Sequence, residues 1–197
     1  MLDVDGVVVK GRPADGMPWA TDLERDLGVV PQRLQSEFFA PYWGEIIVGR
    51  RGLHEALTAC LPKLSPTLSV DAFIDYWFSM DARIDEDVLA QCEELRSKGI
   101  AVSLATNQEH LRAKYLMEDL GLGEHVDGIF YSSQVGARKP DHAFFEAAAL
   151  GCGMAPEALI LVDDTEANVA AAIEAGWKAV HWTEGLRLTD CLSEFST

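Results

Sequence analysis

Beyond residue 100 this chain repeats one pattern, a short apolar run followed by a stretch of helical spacing. Residues 100–105 read as a buried strand, 109–120 as a helix and 128–131 as a short strand. Helix 143–150, strand 158–162, helix 166–175 and strand 179–182 complete the series. Strands alternating with helices imply crossover units and a parallel sheet. Between residues 19 and 83 the period changes. Leu23, Leu27, Leu34 and Phe38, then Leu53, Leu57, Leu61, Phe73 and Trp77, recur at helical spacing with prolines and glycines between segments. This is an all-helical block inserted after the first strand. A helix over 85–98, closed by Gly99, returns the chain to the sheet. The expected fold class is α/β, a Rossmann-like three-layer core with a parallel sheet plus an inserted all-helical cap domain. Residues 1–14 and 85–197 form the core, and residues 15–84 the cap.

In open α/β sheets, ligands bind beyond the carboxyl ends of the strands, so the residues after each apolar run are the ones to inspect. The first run is minimal: Met1 and Leu2 precede Asp3-Val4-Asp5-Gly6. A central strand usually has about five residues, so either this strand is very short or the true start lies upstream. Residues i and i+2 of a strand share a face, so Asp3 and Asp5 project together. Two like charges so close raise one pKa or recruit a cation. The plain alternative is a polar strand entering an Asp-Gly turn.

Thr106 and Asn107 end the second run; they suit a phosphate oxygen or the cap of the helix that follows. Lys139 precedes Pro140, which fits the first turn of the next helix. A lysine there opposes the helix dipole, and with Arg138 it makes either an anion site or a solvated face. Asp163 and Asp164 end the strand 158–162. Simple capping accounts for one aspartate more easily than two, whereas magnesium favours one or two carboxylates plus waters and a substrate phosphate.

These segments, Asp3-Val4-Asp5-Gly6-Val7, Leu104-Ala105-Thr106-Asn107, Lys139-Pro140-Asp141 and Leu161-Val162-Asp163-Asp164 with Asn168 following, resemble the four motifs of the haloacid dehalogenase superfamily in order. The helical block resembles the small cap of its phosphatase-like branch, with Tyr42-Trp43 through Gly49 similar to caps of that branch. The resemblance implies that Asp3 is a nucleophile forming an aspartyl-phosphate and that Asp5 protonates the leaving group, then activates water. It further implies magnesium held by the Asp3 carboxylate, the Asp5 carbonyl and Asp164, with Asp163 acting through water or orienting its neighbours. Thr106, Asn107 and Lys139 would hold phosphoryl oxygens. Superfamily dehalogenases lack the second aspartate of the first motif, so Asp5 favours phosphate chemistry. The reading is a Mg2+-dependent phosphatase of a small phosphorylated metabolite. A sugar phosphomutase, or a binding module that kept the fold, is the alternative.

Composition limits the partners. A net charge of −16 opposes a large nucleic-acid footprint or an anionic membrane surface. The start has no basic n-region, no run approaches a membrane span, and the four cysteines have no Cys-x-x-Cys spacing. The expectation is a soluble cytoplasmic protein with no nucleic-acid or membrane partner. Trp19, Tyr42, Trp43, Arg50 and Arg51 either face the substrate or form the cap's own core and surface. The five histidines form no cluster, and hinges are expected near Gly11–Gly16 and Met80–Asp85.

Overall fold

A computed structural model describes residues 1–193 and Phe195. Its inserted block begins with a 3-10 turn at Trp19–Asp22, then α1 (Leu23–Leu27), α2 (Pro31–Leu34), a π turn at Gln35–Phe39 and α3 (Ala40–Ile46). Next come α4 (Leu53–Leu64) and α5 (Val70–Met80), the latter capped by the Ser69 hydroxyl on the Ala72 N–H. The helical-period residues Leu23, Leu34, Phe38, Leu53, Leu57, Leu61, Phe73 and Trp77 meet in one cluster of their own. Trp19 stacks on Trp77 at 5.0 Å, and Trp43 packs against Phe38, Phe39 and Trp77. Tyr42 carries the Arg51 guanidinium 4.5 Å above its ring.

α6 (Glu86–Ser97), capped by Asp85, leads into the sheet. There follow β1 (Ser103–Thr106), α7 (His110–Lys114), β2 (Gly128–Tyr131), α8 (Ser132–Val135), α9 (His142–Cys152), β3 (Ile160–Asp163), α10 (Glu166–Glu174), β4 (Lys178–His181) and α11 (Leu188–Ser193). β1 pairs parallel with β2, and β3 with β4. Residues 1–3 lie between these pairs. The Leu2 N–H donates to Ser103 O at 2.9 Å and its carbonyl accepts from Ala105 N, while Asp3 N–H donates to Val162 O at 2.9 Å. The spatial order is therefore β2, β1, the N-terminal segment, β3, β4. One residue, Leu2, bridges both halves, opposite Leu104 and Val162.

Alternation along the strands separates two apolar layers. Leu104 and Val162 face a cluster with Leu2, Val88, Leu116 and Trp182. Ala105 and Leu161 face the opposite one with Phe144, Phe145, Ala172 and Trp177. Helices on both faces give the three-layer α/β core.

Several expected boundaries move. β1 starts at Ser103 because Ile100 donates back to Leu95 O of the preceding helix and Val102 N–H is taken by the Asp127 carboxylate at 2.8 Å. The expected helix 109–120 is α7 running into a π turn at Tyr115–Asp119. Its N-cap is Glu109, whose carboxylate accepts from the Leu111 and Arg112 N–H groups, so Thr106 and Asn107 do no capping. α9 starts at His142 behind N-cap Asp141, which places Pro140 ahead of the helix and not in its first turn.

Candidate active site

Asp3 ends the N-terminal segment, Thr106 ends β1 and Asp163 ends β3, so three neighbouring strands deliver polar side chains to one edge. Lys139 completes the set from the loop before α9. It is only 2% exposed, and its ammonium lies 3.0 Å from Asp3 Oδ1 and 2.5 Å from Asp163 Oδ2. Asp3 Oδ1 also accepts the Val4 N–H at 2.8 Å. Burial raises the Asp3 pKa and Asp163 adds to that rise, against the lowering effect of Lys139.

Asp163 is fully buried and fully partnered. Besides Lys139, its oxygens accept from Asn168 Nδ2 at 3.0 and 3.1 Å and from the Thr165 N–H at 2.9 Å. Asn107 turns its amide onto the lysine loop: Lys139 N–H donates to its Oδ1 at 2.8 Å, and its Nδ2 donates to Lys139 O at 2.9 Å. This clamp fixes the loop to the strand end. The Thr106 hydroxyl lies beside Asp3 and acts to lower its pKa, although no hydrogen bond of full geometry joins the two. It is fully buried and has no partner among the described residues. A buried orphan hydroxyl is the type of group an anionic ligand satisfies.

Carboxylate oxygens of Asp3, Asp163 and Asp164 lie within 4.8 Å of one another. These all-oxygen donors, with net negative charge after Lys139 is counted, fit a hard divalent cation. Because Asp163 is already occupied, Asp3 and the exposed Asp164 carry the free oxygens. Gly6 makes room for Asp164. Its φ is +81°, and a Cβ there would lie 2.0 Å from Asp164 Oδ2.

Asp5, two residues past Asp3, lies at the exposed rim of this edge. Solvent reaches its side chain, yet it lies in a crevice crowded with protein atoms. Its pKa is pushed up to about 7, by burial first and then by Asp81 and Asp3, with Arg112 and Gln108 opposing. Gln108 Nε2 donates to Asp5 Oδ2 at 2.7 Å. The buried Arg112 of α7 donates to Phe78 O at 3.0 Å and to Asp81 O, with Phe78 and Tyr115 rings 5.3 Å from its guanidinium. No motif in the sequence marks Gln108, Arg112 or Asp81. Proximity to Thr106 was the only signal for Gln108, and the expected hinge the only one for Asp81.

Volume points elsewhere. An apolar cavity of about 440 Å³, lined in part by Met1, Ile100, Val102, Cys152 and Leu159, lies at the amino ends of the strands, away from this polar edge. The chemistry-bearing groups therefore mark the site.

Fold and site together define a helically capped α/β protein with an aspartate pair, a buried lysine and an acidic doublet at adjacent strand ends. The profile of the haloacid dehalogenase-like hydrolases matches residues 1–176, and the chain belongs to that family. A phosphoserine phosphatase of Thermus thermophilus is 35% identical over 98 residues, 49% of this chain and 39% of that protein. A phosphoglycolate phosphatase of Cereibacter sphaeroides is 31% identical over 98 residues, 50% of this chain and 44% of that protein. The matches thus span less than half the length of these relatives. A haloacid dehalogenase family enzyme of Bacteroides thetaiotaomicron, solved in complex with magnesium and inorganic phosphate, has the same fold. Its TM-score is 0.79 at 17% identity, over 96% of each chain.

Proposed function

We propose that this protein is a magnesium-dependent phosphatase acting on a small phosphorylated metabolite through an aspartyl-phosphate on Asp3. The observation that carries the reading is the Lys139 ammonium placed between Asp3 and Asp163, with Asp5 two residues further along the Asp3 segment. An Asp3 oxygen attacks phosphorus, and the bond to the leaving oxygen breaks as Asp5 delivers its proton. Asp5, now ionised, takes a proton from the water that attacks the acyl phosphate, which releases phosphate and restores Asp3. Lys139 and the Thr106 hydroxyl neutralise and orient the equatorial oxygens, the main requirement of phosphoryl transfer. Magnesium, held by Asp3, the Asp5 carbonyl and Asp164, would supply further charge neutralisation. Asp163 and Asn168 orient Lys139, and Asn107 fixes its loop.

Residues 15–84 act as the cap, moving on the segments Gly11–Gly16 and 80–85 and excluding bulk water when closed. Because the relatives named above include phosphatases of small phosphorylated acids, the substrate belongs to the phosphate monoesters. The test is hydrolysis of p-nitrophenyl phosphate with magnesium or with chelator, using Asp3→Asn as control. Magnesium-dependent turnover abolished in Asp3→Asn is expected. Metal-independent turnover, or full activity in that variant, overturns the mechanism.

A further inference from the structure

We propose that Gln108 is a positioning residue for proton transfer, fixing which oxygen of Asp5 faces the leaving group; this deepens the phosphatase reading and rests on it. Gln108 lies two residues past Thr106, in the link from β1 to α7, and is 6% exposed. Its main chain is clamped. The Gln108 carbonyl accepts from the Ser132 hydroxyl at 3.1 Å and from the Ser133 N–H at 3.2 Å. The carboxamide therefore springs from a fixed point, and its Nε2 donates to Asp5 Oδ2 at 2.7 Å.

The carboxylate torsion of aspartate is broad and intrinsically soft. A buried donor on one oxygen stops that rotation. With Oδ2 held by Gln108, Oδ1 is the oxygen left to turn toward the phosphoryl site. Proton transfer requires heavy atoms about 2.6–3.2 Å apart, so a rotated Asp5 loses the transfer while Asp3, Thr106 and Lys139 keep their places. Gln108 itself touches neither nucleophile nor lysine in the hydrogen bonds described above; it acts through Asp5.

The distinguishing measurement is leaving-group dependence. p-Nitrophenolate departs without a proton, whereas phenolate, a poorer leaving group, benefits from one. kcat/KM reports the first phosphoryl transfer and excludes the later hydrolysis of the intermediate. Gln108→Leu is expected to lower kcat/KM for phenyl phosphate by about tenfold or more, part of the roughly 10²–10⁴-fold that a general acid contributes. It should change kcat/KM for p-nitrophenyl phosphate by less than about threefold, since little acid catalysis is needed there. Equal losses on both substrates would show a merely structural role, and no loss on either would show no role; each overturns the inference. Should Gln108→Leu fail to fold, Gln108→Asn keeps the amide but withdraws it by one methylene, and the same comparison decides. A wild-type protein inactive on both substrates with magnesium overturns the phosphatase reading itself, and this inference with it. An active wild type with an unselective variant overturns this inference alone.

Discussion

Lys139 is almost sealed from water, and its charge is set against two carboxylates, Asp3 and Asp163, that are themselves buried. Removing one partner from such a group leaves unpaired charge in a low-dielectric place, at a cost of about 3–5 kcal/mol. Lys139→Met should therefore lose activity and also lower the denaturant midpoint, whereas a purely substrate-binding lysine would leave stability untouched. Asp5 gives a different signature. Burial holds its pKa at about 7 in the native state, well above the ordinary aspartate value of 3.8, so between those values the native state holds a proton that the unfolded chain releases. The associated stability is fully present below the unfolded pKa and is lost as pH rises through about 7. In chelator, Asp5→Asn should abolish this slope and unfold at a higher midpoint than wild type at pH 8; an unchanged pH profile would refute the assignment. At this scale the sequence was informative wherever a polar residue follows an apolar run: Asp3, Thr106, Lys139 and the Asp163-Asp164 doublet all meet at one sheet edge. Gln108 and Arg112 were not legible. The first bonds a residue 103 positions away, and the second the Phe78 and Asp81 carbonyls at the end of α5, contacts that no local pattern encodes.

Periodicity located the elements because burial on one face imposes it, and the cap helices and parallel strands appear where it was found. It failed at element ends, where hydrogen bonds from particular side chains decide. Asp127 takes the amide that would have extended β1, and Glu109 caps α7 in place of Thr106 or Asn107. One end also governs how block and core meet. Gly49, just past α3, has φ +73°, and a Cβ there would lie 2.3 Å from Ser133 O and 3.3 Å from His110 Nε2. Gly49→Ala should hold the helical block away from the site and lower kcat/KM about tenfold or more, in keeping with the sensitivity of catalysis to ångström displacements. Gly28 is the control. It has φ +67° with nothing within 4 Å of its Cβ position, so Gly28→Ala carries the same backbone strain, about 1 kcal/mol or more. Its expected result is a lower unfolding midpoint with unchanged kinetics. Equal kinetic losses in both variants would assign the effect to strain and not to contact.

The whole molecule carries a charge of −16, and on the proposed function an anionic substrate approaches against that field. Raising ionic strength from low to physiological values should therefore increase kcat/KM for a phosphate monoester, the reverse of an electrostatically steered enzyme. The acidic edge makes a second whole-molecule expectation. Magnesium binding only the native state raises the unfolding midpoint by mass action, and Asp164→Ala should remove that rise; a rise that persists in the variant would place the ion elsewhere. Among the described residues no helix is long and apolar enough to cross a membrane. A last consequence follows from how the chain leaves and re-enters the sheet domain. Lys10 N–H donates to Arg83 O at 2.8 Å, Arg83 N–H to Gly11 O at 3.0 Å and Asp85 N–H to Val8 O at 2.9 Å, with a Lys10–Asp85 ion pair at 2.6 Å across them. Outgoing and returning segments thus run side by side as a two-rail track. To the sheet, everything beyond that track is a cassette with adjoining ends. Such a cassette can be exchanged for another of different shape without rethreading a single strand, so substrate preference can diverge while the chemistry beneath stays put.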